Sequence, residues 1–173
     1  MMSKTVQEAL NRQIHSEMKA SYTYLAMSAW CDRNNWKGAA VWMRLQSQEE
    51  YAHAMRLFDF MLARHGKLDL KAIDGPKGEF KHLVDVFETA YKQELEVSKQ
   101  IDALYELAGE QKAYAAMVQL EWFITEQVEE EKTMREIVAR LNMVKDDPAS
   151  LLDIDRELGA RVPEAAGGAE AGA

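Results

Sequence analysis

The sequence predicts an all-α protein, a bundle of four long helices followed by a fifth, short helix. Three observations support this fold class. Only three prolines and nine glycines occur among 173 residues, so few positions interrupt a helix. Apolar residues recur in steps of three and four along four long stretches, which is the period of an amphipathic helix. Three of the connections are short, and one is long enough to cross the whole bundle.

The composition narrows the class of protein and its partners. With 47% hydrophobic and 29% charged residues, the chain has the balance of a single soluble globular domain. Its net charge of −8 argues against nucleic acid as the main partner and is compatible with attracting cations. Cys31 is the only cysteine, which excludes an intramolecular disulfide and fits a reducing cytoplasm. We see no signal peptide and no apolar run near the roughly 20 residues of a membrane span, so we expect a cytoplasmic protein.

Capping residues and helix breakers divide the chain into elements. Thr5 with Glu8 forms a Ser/Thr-x-x-Glu capping box that predicts the start of the first helix. Asp147 before Pro148 predicts the start of the fifth. The breaks that end the first three helices are Asn34 with Asn35, Gly66 and Gly109. The predicted helices cover, in order, about residues 5–33, 36–65, 81–108, 112–143 and 147–158.

The connection at residues 66–79 is the one long loop in the chain. At about 3.3–3.6 Å per residue it can reach about 45–50 Å, which matches the length of about 45 Å of a 30-residue helix. It therefore predicts a crossover that makes the second and third helices parallel. We expect one domain over residues 1–162 and a flexible tail rich in alanine and glycine over residues 163–173.

Glu50-x-x-His53 is the motif with the clearest chemical meaning. Residues three apart on a helix point the same way, so this carboxylate and imidazole can converge on one metal ion. Both residues fall on the apolar stripe of the second helix, where a carboxylate costs roughly several kcal/mol unless its charge is compensated. From this helix alone, three interpretations stay open: a metal ion, a buried salt bridge, or an error in the helical register.

The other three long helices carry polar residues at mid-length on their own apolar stripes. These are Glu17 on the first helix, Glu94 on the third, and Gln127 with Glu130 on the fourth, while Tyr24 lies two turns beyond Glu17. No stripe carries a lysine or arginine at that depth, which argues against buried salt bridges. Together with Glu50 and His53, these polar residues give each of the four long helices a polar group at matching depth, which indicates one shared site. Carboxylates and imidazole are ligands that suit iron.

This combination of residues resembles the bacterial non-haem ferritins over about residues 4–160. The resemblance implies a ferritin-like four-helix bundle that is an iron storage protein and a ferroxidase. Such a protein oxidises Fe²⁺ with O₂ or H₂O₂ and deposits ferric mineral inside a shell of 24 identical subunits. The implied partners are Fe²⁺, the oxidant and further copies of the same chain.

The resemblance also implies a role for each residue of the shared site. Glu17, Glu50 and His53 resemble the ligands of a first iron ion, with Glu50 bridging to a second. Glu94 and Glu130 resemble the remaining ligands of that second ion.

Further residues resemble parts of the family site that surround the two iron ions. Gln127 resembles the amide beside the diiron centre, and Tyr24 resembles a neighbouring tyrosine often linked to electron donation. A structural role for Tyr24, as a hydrogen-bonded core residue, stays open. The implied third iron site consists of Glu49, Glu126 and Glu129, with Glu130. For the first three of these, a solvated helix face is the alternative.

The sequence differs from related families at two places, and these differences narrow the possible types of protein. Symmetric diiron bundles have Glu-x-x-His on the fourth helix, where this chain has Gln127 and Glu130. Tyr51 stands where bacterioferritins place a haem-binding methionine, so we expect no haem. Two other functions remain open at this point. One is a diiron oxidase or peroxidase that stores no mineral, and the other is a structural oligomer whose carboxylates are vestigial.

Overall fold

Five α-helices form the described part of the protein in a computed structural model, which covers residues 2–163. The helices are α1 (Lys4–Arg33), α2 (Lys37–Ala63), α3 (Leu83–Glu110), α4 (Tyr114–Val144) and α5 (Pro148–Gly159). No strand occurs within these residues. The predicted all-α bundle of four long helices and a short fifth is confirmed. Most of the predicted tail, residues 164–173, lies outside the described residues.

Helices α1 and α2 run in opposite directions. Ser21 on α1 donates a hydrogen bond from Oγ to the backbone oxygen of Ser47 on α2, at 2.7 Å. Ser28, two turns further along α1, donates to the backbone oxygen of Ala40 at 2.8 Å. The partners on α2 step back along the chain as those on α1 step forward, so the two helices form an antiparallel hairpin.

Helix α3 also runs antiparallel to α1. Ser16 donates to the side-chain oxygen of Gln100, and Tyr24, further along α1, donates to Glu94, further back on α3. Since α2 and α3 each oppose α1, they are parallel to one another. Residues 64–82 supply the long crossover between them, as the loop length predicted.

The core consists of two apolar clusters with a polar layer between them. One cluster includes Met27 on α1 and Met134 on α4, and the other includes Ile14 on α1 and Phe123 on α4. Along each long helix, the polar residues of the site lie between the part that enters one cluster and the part that enters the other. Each polar group is therefore held by packed side chains on both sides along the bundle axis. Within residues 2–163, no helix combines the length and the apolar character that a membrane span requires.

Two predicted helix ends were wrong. Ser3, not Thr5, caps α1, because the Ser3 hydroxyl accepts a hydrogen bond from the backbone N–H of Val6 at 3.3 Å. Gly109 does not end the third helix but lies inside it, and α3 continues to Glu110. The cap predicted for α5 is confirmed, since the Asp147 side chain accepts from the backbone of Ala149.

Three helices are followed, two positions after their last residue, by a residue that is not glycine and has a left-handed backbone. The φ angles of Asn35, His65 and Lys112 are 65°, 54° and 51°. At the end of α2 the backbone N–H of Gly66 bonds to the oxygen of Met61 at 2.8 Å, which is the Schellman pattern. The sequence predicted that Gly66 itself ends this helix in the left-handed conformation. In the structure His65 adopts that conformation, and Gly66 is the next residue.

Helix α5 docks on the N-terminus of α2. The buried Asp155 accepts hydrogen bonds from the backbone N–H groups of Gly38 at 3.1 Å and Ala39 at 2.8 Å. This carboxylate caps α2, because Trp36 at the N-cap position makes no side-chain capping bond. A Cβ atom on Gly38 would lie 1.6 Å from the backbone oxygen of Asp155, so only glycine allows this approach.

Candidate metal centre

The structure brings the five main predicted ligands together in the polar layer. Glu17, Glu50, His53, Glu94 and Glu130 come from four helices, and each is between 0% and 7% exposed. Each occupies a stripe position, so the same periodicity that buries the neighbouring apolar side chains also buries these polar ones. The sequence therefore predicted both their burial and their common depth.

The first group of possible ligands joins α1 to α2. One ligand atom from each of Glu17, Glu50 and His53 can be chosen so that all three lie within 4.8 Å of one another. Gln13 donates a hydrogen bond to Glu17 Oε1 at 2.8 Å. The other oxygens, Glu17 Oε2 and Glu50 Oε2, are buried and have no hydrogen-bond partner among residues 2–163. Buried oxygens without a donor fit a bound cation.

Glu94 is held in place by two neighbouring side chains. The Tyr24 hydroxyl donates a short hydrogen bond to Glu94 Oε1. The Gln127 amide lies 3.3 Å from Glu94 Oε2 and 3.2 Å from the Ser98 hydroxyl. Tyr24 and Gln127 therefore occupy positions beside the centre, where the sequence predicted them, and both orient one carboxylate.

A second glutamine links two carboxylates of the centre. Gln46, which is fully buried, donates from its amide nitrogen to Glu50 Oε1 at 3.1 Å and to Glu130 Oε2 at 2.8 Å. It ties α2 to α4 across the bundle and leaves the remaining oxygens of both carboxylates available to a cation. Gln46 lies one turn before Glu50 on the same face of α2, and the sequence gave no reason to assign it a role.

The residues predicted for a third iron site differ in burial and in how close they lie to other possible ligands. Glu126 joins His53 and Glu130 in a second group of possible ligand atoms within 4.8 Å. Glu49 is half-buried and forms an ion pair with Arg161. Glu129 is exposed, lies 3.9 Å from Lys132, and belongs to neither group of possible ligands among the described residues.

The electrostatics of the centre follow from burial. The pKa of Glu17, Glu50 and Glu130 is raised to about 8, mainly by loss of water and also by the charge of neighbouring carboxylates. Burial raises the pKa of Glu94 as well, and it holds the pKa of the Tyr24 phenol well above its usual value. At neutral pH without a cation these carboxyl groups hold protons, and a divalent cation would replace the protons.

The donor set and its surroundings favour a hard or borderline metal. Carboxylate oxygens with one imidazole suit iron or manganese, and no thiolate is within the set. The His53 ring packs edge-on against Trp122, with centroids 5.2 Å apart, and against Phe123 at 6.0 Å. These aromatic rings fix the imidazole and limit the access of water.

One residue near the centre had no signal in the sequence. Arg161 lies beyond the end of α5, outside any apolar stripe, yet its guanidinium donates to Gln46 and to Glu49. The prediction that no cation lies at the depth of the site considered only the four long helices. A residue that arrives through a docked fifth helix is invisible to that kind of reasoning.

Fold and site together define a ferritin-like four-helix bundle with a buried carboxylate–histidine centre. A family model described as a ferritin-like domain matches residues 7–144. The chain belongs to the ferritin family, as the sequence motif indicated.

Relatives with high coverage agree with this assignment. The chain is 37% identical over 161 residues to a bacterial non-haem ferritin of Staphylococcus haemolyticus, covering 93% of this chain and 97% of that protein. It is 36% identical over 159 residues to a probable bacterial non-haem ferritin-like protein of Haemophilus influenzae, covering 92% and 96%.

Solved structures agree at the level of the whole fold. An engineered closed form of the Archaeoglobus fulgidus ferritin superposes with a TM-score of 0.92 at 41% identity, covering 94% of this chain and 99% of that one. The open-pore ferritin of the same archaeon gives the same TM-score at 40% identity, with the same coverage.

Proposed function

We propose that this protein stores iron and acts as a ferroxidase, with Fe²⁺ as the substrate of the buried centre. The observation that carries the proposal is the group of Glu17, Glu50 and His53, with two buried carboxylate oxygens that have no hydrogen-bond partner among the described residues. Such oxygens cost free energy unless a proton or a cation satisfies them, and a cation can satisfy several of them at once. Family membership supports storage as the outcome.

The proposed ligand assignment follows the family resemblance, and the group of Glu17, Glu50 and His53 supports its first part. Glu17, Glu50 and His53 bind one iron ion, and Glu94 with Glu130 binds the second. Glu50 bridges the two ions. Its position supports this role, because it contacts Gln46 and His53 and lies beside Glu17. Two Fe²⁺ ions side by side can each give one electron, so together they reduce the oxidant, O₂ or H₂O₂, by two electrons.

Neighbouring residues assist the proposed centre in different ways. Gln127 and Tyr24 hold Glu94 by hydrogen bonds, so both orient a ligand of the second ion. Because the Tyr24 hydroxyl contacts a ligand of the second ion, we also propose Tyr24 as an electron donor. A third, more exposed iron site uses Glu126 and Glu49, whereas the exposed Glu129 needs a change of rotamer to take part.

The protein is proposed to work in the cytoplasm as a closed homo-oligomer of 24 subunits. Large apolar side chains stay exposed on the isolated chain, among them Tyr22 at 47%, Tyr114 at 68% and Val118 at 68%. Contacts with further copies would cover such groups. A closed shell also supplies the internal volume that a mineral requires.

The proposal is tested by loading the metal-free protein with Fe²⁺ without oxygen and then mixing it rapidly with O₂ or H₂O₂. The expected result is a fast rise in near-ultraviolet absorbance that saturates at two or three ions per chain, followed by slower uptake of many more. Saturation without further uptake would indicate a diiron oxidase that does not store mineral. A rate no faster than Fe²⁺ oxidation in buffer would contradict ferroxidase activity.

A further inference from the structure

Arg161 reaches the edge of the centre from the segment that follows α5. Its Nη1 donates to Gln46 Oε1 at 2.8 Å, and its Nη2 donates to Glu49 Oε2 at 2.5 Å. The guanidinium carbon also lies 4.5 Å from the centre of the Trp42 ring. The side chains of Arg161 and Glu49 are 20% and 18% exposed, so this ion pair is much better shielded than the surface pairs of the protein.

The contacts around the guanidinium fix its position before any metal binds. Arginine can only donate hydrogen bonds, so Gln46 turns its oxygen towards Arg161 and its nitrogen towards Glu50 and Glu130. Stacking on Trp42 restrains the same group from the side. A guanidinium held by both Gln46 and Trp42 binds the Glu49 carboxylate with little further loss of entropy.

The backbone that carries Arg161 is fixed as well. Asp155 caps α2, and Gly159 at the end of α5 packs against Gly38 at the start of α2. Arg161 follows two residues after Gly159 and lies alongside α2. The docking of α5 therefore determines where the positive charge lies.

We propose that Arg161 is a positioning residue that acts as a built-in cation and competes with iron for Glu49. The inference rests on the proposed function, in which Glu49 contributes to the third iron site. The guanidinium repels a metal ion at either oxygen of Glu49, and an ion that binds through Oε2 must also displace the guanidinium from that oxygen. The third ion therefore binds more weakly than the unhindered ligands would allow, and its binding releases the segment after α5.

Replacement of Arg161 by glutamine tests the competition directly. Metal-free protein is titrated anaerobically with Fe²⁺ by calorimetry. In Arg161→Gln we expect the third ion to bind about tenfold more tightly than in the wild type, because a charge-assisted hydrogen bond no longer opposes it. A merely structural role would weaken binding, so tighter binding distinguishes the two roles.

Two further variants act as controls. Arg161→Lys keeps the charge but cannot contact Gln46 and Glu49 through two nitrogens at once, so it should give an intermediate affinity for the third ion. Arg156→Gln removes the same charge from α5, where Arg156 pairs with the exposed Asp153 away from the centre. This variant should bind all three ions as the wild type does.

Hydrogen exchange supplies a second readout on the wild-type protein. Exchange of residues 160–163 should accelerate on addition of the third equivalent of Fe²⁺ and not of the first two. If the wild type binds two ions tightly but the third binds alike in wild type and Arg161→Gln, the competition is refuted. If the wild type binds no ion tightly, the proposed function itself fails. Thermal unfolding checks the fold of each variant, and should Arg161→Gln not fold, the lysine variant decides.

Discussion

At the scale of single residues, the centre is defined by carboxylates that have lost water and gained few donors. Glu17 and Glu50 each receive one hydrogen bond from a glutamine, on Oε1, and keep Oε2 without one. Gln46 donates to only one oxygen of Glu50 and one oxygen of Glu130, so the other oxygen of each carboxylate can still bind a cation. Glu94 differs, because Tyr24 and Gln127 contact both of its oxygens.

Replacement of Glu50 by alanine should lower the initial rate of Fe²⁺ oxidation by more than about 100-fold, because it removes a ligand shared by both proposed ions. Stopped-flow absorbance after mixing with O₂ or H₂O₂ measures this rate. Glu8→Ala, which removes an exposed glutamate that pairs with Lys4 on α1, is the matched control and should leave the rate unchanged. Wild-type rates in Glu50→Ala would refute the bridging role.

At the scale of the helices, the backbone after three of the helix ends departs from the usual residue choice, whereas the apolar stripes follow the helical period closely. Asn35, His65 and Lys112 each adopt a left-handed backbone at a helix end, although a residue with a Cβ atom is strained there by about 1–2 kcal/mol. Glycine is the common choice at this position. The protein therefore keeps some strain at three of its connections, and that strain can be removed at an exposed one.

Replacement of the exposed Lys112 by glycine should increase the free energy of unfolding by about 1 kcal/mol, because glycine adopts a positive φ without strain. Denaturant unfolding of the metal-free protein measures the change. The same substitution at Lys99, inside α3, is the control and should lower the free energy by about 1 kcal/mol. Equal losses in both variants would contradict the left-handed assignment.

The docking of α5 on α2 depends on two glycines that pack against each other, Gly38 and Gly159. Gly38→Ala should lower the free energy of unfolding by about 3 kcal/mol, because the added Cβ would meet the backbone of Asp155 and force the helices apart. Thermal and denaturant unfolding measure the loss. Gly75→Ala, in the long connection with nothing within 4 Å of the added atom, is the control and should stay within about 0.5 kcal/mol of the wild type.

At the scale of the whole molecule, the apolar periodicity of the sequence predicted the long helices and the buried residues of the centre. It did not predict features that depend on contacts between distant segments. Glu94 was predicted at the centre because the stripe around it is so regular that only one register fits. Ser3 was missed as a cap because Thr5 offered an equally good local pattern. Arg161 was missed because the docking of α5 places it, and that docking depends on the fit of Gly38 to a distant segment.

The charge of the polar layer makes the stability of the metal-free protein depend on pH. The pKa of Glu17, Glu50 and Glu130 is about 8 in the folded protein and about 4.5 in the usual case, so the folded state holds more protons between these values. The free energy of unfolding should therefore fall as pH rises from about 4.5 to about 8.

Unfolding of the metal-free protein across this pH range measures the slope, and the variant Glu17→Gln tests its origin. The amide cannot ionise, so this variant should lose stability less steeply with pH than the wild type does. A divalent cation such as Zn²⁺ should reverse the trend, because it binds the deprotonated carboxylates and therefore stabilises the folded state more at higher pH. Equal slopes for wild type and Glu17→Gln would mean that Glu17 is already ionised in the metal-free bundle.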